Sequence, residues 1–185
     1  MPVALLEVDA SNLSLGASKE IGPTTITSIL LNGQQPLIQT LPRGRLGDVH
    51  TPWEPSVYRG NGDEPRKTIT FNVPEDVRSK IEEIDEHFKR VLAFPDDAWT
   101  SSIRAGDKYP SSFRAKIRVS GSRPCRFVAE DGSPSLQPAR WRNLPVIPIL
   151  ELKGVYRQKR SAGLIWEVAA IMIGEDQADE IPDFL

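Results

Sequence analysis

The stretch GLIWEVAAIMI (163–173) constrains the fold more than any other in the chain. At a period of two, Leu164, Trp166, Val168, Ala170 and Met172 share one face, and Ile165, Glu167, Ala169, Ile171 and Ile173 share the other. Glu167 is the only charge among them, so both faces ask for cover and the segment reads as a central strand. ILELKGVYRQ (149–158), joined to it by KRSAG, completes a long hairpin. A second alternating run, SSFRAKIRV (111–119), sets Phe113, Ala115, Ile117 and Val119 against Arg114, Lys116 and Arg118. One face of that strand is core and the other carries three cations in a row. SGSR then supplies a turn and CRFVA (125–129) returns.

RKTITFNV (66–73) is β-branched and aromatic, as strands are. TTITSILL (24–31), NGQQ and PLIQTL predict a hairpin around an Asn-Gly turn. The one helix expected is PEDVRSKIEEIDEHFKRVLAF (74–94). Its start carries Pro74, Glu75 and Asp76, and its end carries Lys89 and Arg90, as the helix dipole favours. Val77, Ile81, Ile84, Phe88 and Val91 form one apolar stripe. Residues 42–65 hold eight Pro or Gly and read as a long loop; a second Pro-rich loop, 130–148, carries Arg140, Trp141 and Arg142. Six or more strands, one helix, sixteen prolines and thirteen glycines predict a mainly β chain. The architecture expected is an OB-like antiparallel Greek-key barrel with one inserted helix, with a β-sandwich as the fallback. Residues 1–173 form the domain, and 174–185 a disordered acidic tail.

The net charge of −2 hides an asymmetry. Residues 104–160 contain thirteen Lys/Arg and four Asp/Glu, a net +9, whereas 174–185 contain five acids and no base. Cys125 is the only cysteine, which excludes an intrachain disulfide and a thiolate cluster. The start MPVALLEVDASNL lacks the basic and long apolar regions of a signal peptide, and LPVIPIL is far too short to span a membrane. An intracellular, soluble protein is expected, with no membrane partner.

No phosphate-cradling glycine loop is present, and His50 and His87 are the only histidines, so neither a His-based triad nor a zinc site is expected. No cofactor is implied. One enzymatic pattern exists: Pro95-Asp96 followed by Glu151-Leu152-Lys153 spells the PD…ExK arrangement of a magnesium-dependent nuclease superfamily. Asp96 and Glu151 would hold the metal and Lys153 would steady developing charge. The bland alternative is that Glu151 and Lys153 are surface charges on one strand face.

The basic stretch carries more weight. Arg114, Lys116 and Arg118 are joined by Arg123, Arg126, Arg140, Arg142, Arg157, Lys159 and Arg160, with aromatics interleaved. Tyr109, Trp141 and Tyr156 lie near this set, and Trp53 and Tyr58 beside Arg59 in the long loop. Cations for phosphates and rings for bases are what a single strand requires. Duplex readers present a helix or ribbon to the major groove, and the helix here is acidic outside. The expectation is therefore a non-catalytic protein that binds single-stranded DNA. An interaction module of a virion or scaffold, meeting an acidic protein or RNA, is the remaining alternative.

The ending DQADEIPDFL resembles the acidic tips of single-stranded DNA-binding proteins, which close on acids, often a proline, and a Phe at or near the end. The body resembles the OB-fold single-stranded DNA-binding proteins of podophages and of large DNA viruses of eukaryotes. The shared features are a helix after an early strand, the SSFRAKIRV strand, and a last hairpin ending in GLIWEVAAIMI before the tail. The likeness covers roughly residues 66–185. It departs from the better-known tips in that Leu185 follows Phe184. The resemblance implies a viral protein of DNA replication or recombination, acting in the host cytoplasm or nucleus where DNA is copied. It implies that Asp179, Glu180, Ile181, Pro182, Asp183, Phe184 and Leu185 recruit polymerase, helicase or primase, and that the fold forms a homodimer through the tail. The tail's charge further suggests that it competes for the basic groove.

Overall fold

A computed structural model describes residues 1–57 and 64–174. The strands are β1 (Val3–Ala4), β2 (Leu13–Ile21), β3 (Thr24–Leu31), β4 (Leu37–Gln39), β5 (His50–Thr51), β6 (Arg66–Asn72), β7 (Trp99–Thr100), β8 (Ile103–Arg104), β9 (Ser112–Arg118), β10 (Arg126–Ala129), β11 (Leu144–Arg157) and β12 (Ala162–Ile173). One α-helix, α1 (Glu75–Val91), lies between β6 and β7. The chain is mainly β with one inserted helix, as expected.

Strand pairing closes a ring. β11 pairs with β5, β5 with β6, β6 with β9, β9 with β12, and β12 returns to β11. All these junctions are antiparallel except β9–β12, where Glu167 lies opposite Lys116 and Val168 opposite Ile117 in parallel. Closure removes the exposed edges of the ring strands. β12 is paired to β11 along one edge and in turn to β7, β9 and β10 along the other. Its apolar faces on both sides follow from that position.

The interior is built on a cross-strand aromatic row. Phe71 of β6 stacks on its register partner Phe113 of β9 at 6.1 Å between centroids, and Phe113 meets Trp166 of β12 edge-on at 5.6 Å. Val77, Ile81, Ile84 and Phe88 of α1 are fully buried, and α1 packs against β8, β12 and the 3-10 turns Leu5–Glu7 and Ala10–Asn12. Val91, placed in the same stripe from sequence, is instead exposed at the last residue of α1. Asp85 is buried in the apolar face of α1 and accepts hydrogen bonds from Trp99 Nε1 (3.2 Å), Ser102 N–H (2.8 Å) and Ser102 Oγ (3.1 Å). Ser102 Oγ in turn accepts from Trp166 Nε1 at 3.0 Å. One carboxylate therefore ties the helix to the β7–β8 turn and, through Ser102, to the central strand.

Two expectations change. The Asn-Gly turn exists, with Asn32 and Gly33 at φ +52° and +78° and reciprocal bonds between Leu31 and Gln34. However, β3 pairs with β2, not β4, and β3 and β4 lie one after the other on the same edge of β11. β11 is fourteen residues long and can accept both, so the turn merely passes the chain from one stretch of β11 to the next. The loop 42–65 is not structureless either. It carries a 3-10 turn, Arg43–Arg45, and β5, which is a member of the ring.

Gly154 sits at the second irregularity of β11, opposite Ser28 of β3. A Cβ there would fall on the carbonyl oxygen of Thr27 and stand 3.2 Å from Ser28 Cα. Only glycine lets these two backbones approach so closely.

Candidate nucleic-acid interface

The pairing of β6 with β9 dictates the chemistry of the outer face. Arg66 lies opposite Arg118, Thr68 opposite Lys116, and Thr70 opposite Arg114. Partners across a ladder share a face, so the three cations read from SSFRAKIRV are joined by Arg66. Tyr156 of β11 reaches the same surface. Arg66, Thr68, Arg114, Lys116, Tyr156, Gln158, Leu164 and Ile165 line an open cleft of about 540 Å³, floored by the nearly buried Trp166.

The groups in this cleft are held in place. Lys116 Nζ donates to Thr68 Oγ1 at 2.8 Å, and Arg66 pairs with Glu167 at 3.2 Å. The Tyr156 ring lies across Gly163, its register partner; a Cβ at Gly163 would stand 2.9 Å from the ring and 2.9 Å from Thr100 O. Gln158 Nε2 donates to Thr24 Oγ1 at 3.0 Å, fastening the β11–β12 turn to the β2–β3 arm. Burial, with Arg66 and Arg114 nearby, pushes the Lys116 ammonium below its usual range. Burial and Arg104 do the same to Arg114. Cations crowded with too little counter-charge are stabilised by an arriving anion.

Beyond the Arg66–Glu167 pair lies a second cleft of about 780 Å³, lined by Arg118, Arg123 and Arg126 together with Glu151, Lys153 and Glu167. Arg123 takes φ +55° in the turn leading to β10. Arg142 is exposed on the loop before β11, as is Arg140, and Lys159 and Arg160 are exposed in the β11–β12 turn. Arg157 points the other way from Tyr156, its guanidinium 5.0 Å from the centre of the Phe94 ring.

Trp141 corrects the sequence-based expectation. It is 2% exposed and packs edge-on against Phe127 at 5.8 Å, so it is a core residue and no stacking platform. Its backbone is locked: Thr51 Oγ1 donates to Trp141 O, and Trp141 N–H donates to Glu54 Oε1 at 2.8 Å. Those contacts also hold the segment that carries Trp53, which is 48% exposed. Tyr58 and Arg59 lie outside the described residues, as do Asp179, Glu180, Ile181, Pro182, Asp183, Phe184 and Leu185. Arg66 and Arg104 belong to the same surface but were not singled out from sequence, because only the β6–β9 and β8–β9 registers bring them there; Tyr109, read from sequence as an aromatic near the basic set, lies beside Arg104 and Arg114.

The nuclease residues are not brought together. Asp96 pairs with Lys89 at 2.7 Å, just before β7, which meets β12 at Ala162 and Gly163. Glu151 pairs with Lys153 and lies opposite Glu167, five residues further along β12, or about 16 Å away at strand spacing. Among the described residues no helix is long and apolar enough to cross a membrane.

No family model matches the chain, and neither does any curated protein. Among solved structures it is similar to gp2.5, a single-stranded DNA-binding protein encoded by bacteriophage T7, at 16% identity and a TM-score of 0.48, over 72% of this chain and 93% of that one. It is also similar to the C-terminally truncated single-stranded DNA-binding protein of bacteriophage Enc34, at 14% identity and 0.45, over 88% and 95%. That protein in complex with single-stranded DNA matches at 13% identity and 0.43, over 86% and 94%. At such values, family and function rest on this chain's own residues.

Proposed function

We propose that this chain is a non-catalytic single-stranded DNA-binding protein serving DNA replication or recombination. The observation that carries this reading is the row Arg66, Arg114, Lys116 and Arg118 on one sheet face beside the braced ring of Tyr156. The cations take successive phosphates and the ring takes a base, without reading sequence. The cleft lies on the curved outer surface of a closed barrel, which offers no helix to a major groove. The five acids after Gly174 match the basic body in charge, and they compete for the cleft until a strand displaces them. Once displaced, the apolar end of the tail is available to a polymerase, helicase or primase, and to a second copy of the chain.

Titration with a poly-dT oligonucleotide, followed by tryptophan fluorescence at several salt concentrations, tests this. Binding weakens steeply with salt, exceeds that of a duplex of equal length, and tightens when the chain is cut after Gly174. Lys116→Ala and Arg114→Ala each lower the slope of log affinity against log salt by about 0.7. Equal affinity for duplex and single strand at equal salt would overturn the proposal.

A further inference from the structure

A smaller cleft of about 250 Å³ adjoins the one just described, and Arg114 lines both. Its floor is a cross-strand row. Asn72 of β6 lies opposite Ser112 of β9, and Ser112 lies opposite Arg104 of β8. Two of the most exposed aromatic rings among the described residues line it, Trp53 at 48% and Tyr109 at 74%. We propose that this cleft is a base-binding slot, which takes one unstacked base of the strand against Trp53 and Tyr109 while Arg104 and Arg114 hold the flanking phosphates. The inference rests on the proposed single-strand function and adds to it a specific subsite.

Three observations support the slot. Trp53 is not a loosely hanging ring: Thr51 on one side and Glu54 on the other are both fastened to the backbone of Trp141, and Asn143 N–H donates to Thr51 O at 2.7 Å. A large apolar surface on so rigid a mount loses little entropy when a base stacks on it. The charge is one-sided, because no acid lines the cleft among the described residues, and Glu54, the acid next to Trp53, is turned to the Trp141 N–H. Polar groups at the floor suit a base edge: Asn72 is hydrogen-bonded to His50 Nε2 at 3.0 Å, which orients its amide and leaves further hydrogen-bonding capacity. The volume lies below the range of about 300–1,000 Å³ common for larger ligands, as a slot for a single planar group should.

The test uses the full chain and a set of short dT oligonucleotides, each with one abasic residue at a different position. Two positions weaken binding by about tenfold each, one for the base on Tyr156 and one for the base in the slot, and the others much less, since losing one stacked base costs about 5- to 100-fold. Trp53→Ala weakens the all-base oligonucleotide to a similar degree, abolishes one of the two positional effects, and leaves the salt slope unchanged. Trp53→Phe keeps most of the affinity but loses the part of the fluorescence quenching that arises at this ring. Melting temperatures of both variants match the parent, because the ring is exposed. If single strands bind with strong salt dependence but only one abasic position is sensitive and Trp53→Ala binds as the parent does, the slot is overturned and the wider function stands. If no single strand binds, both fall.

Discussion

Gly154→Ala lowers the melting temperature by about 6–12 °C, the shift that roughly 3 kcal/mol produces in a domain of this size. The new methyl would meet Thr27 O, Thr27 C and Ser28 Cα, all backbone, so no side chain can rotate away. β3 must lift off β11, to which it is paired only from Gly154 to Arg157. β2, whose only partner among the described residues is β3, goes with it. Calorimetry reads the loss of stability, and limited proteolysis shows new cleavage within residues 13–31. A melting temperature within about 1 °C of the parent would mean that the β3–β11 approach is wider than described, since overpacking at a fixed backbone contact costs more than that.

Asp85→Ala is comparably damaging. It strips the acceptor from three donors, Trp99 Nε1, Ser102 N–H and Ser102 Oγ, in a dry site, at a cost of about 3 kcal/mol or more. The same carboxylate gives stability a pH dependence of unusual sign. Burial pushes its pKa up to about 6, against the lowering effect of its hydrogen-bond donors. Between about pH 4 and pH 6 the folded chain keeps a proton that the unfolded chain has released. This group's contribution is therefore greatest below about pH 4 and declines by up to about 3 kcal/mol as pH rises through 6. Chemical denaturation across that range shows the decline in the parent. Asp85→Asn, which retains one acceptor oxygen, flattens it. An unchanged pH profile in Asp85→Asn would assign the slope to other groups.

Local signals in the sequence carried far. The stripe of α1, the alternation of β9 and the two apolar faces of β12 each follow from a period, and the period survives in the fold. Phe113 and Trp166 are core residues, as their positions on those strands required. What could not be read is register across long separations. The hairpin expected after Leu31 failed because its turn is local chemistry, whereas the choice of partner for β3 and β4 is made by β11, more than a hundred residues later. Trp141 looked exposed because arginines flank it; its burial depends on Phe127, Thr51 and Glu54, which meet it only in three dimensions. The row of Asn72, Ser112 and Arg104 was invisible for the same reason. It is a statement about how three strands align, and none of the three residues is unusual where it stands in the chain.

The ring also imposes an order on synthesis. β12, made after every other strand, holds β11, β9, β7 and β10 at once. Until the ribosome has delivered residues 162–173, β5, β6, β9 and β11 can form at most an open sheet with bare edges. Such a nascent chain is slow to settle and attractive to chaperones and proteases. A translation product interrupted before β12 is therefore expected to be a substrate for degradation rather than to persist as a partly closed barrel.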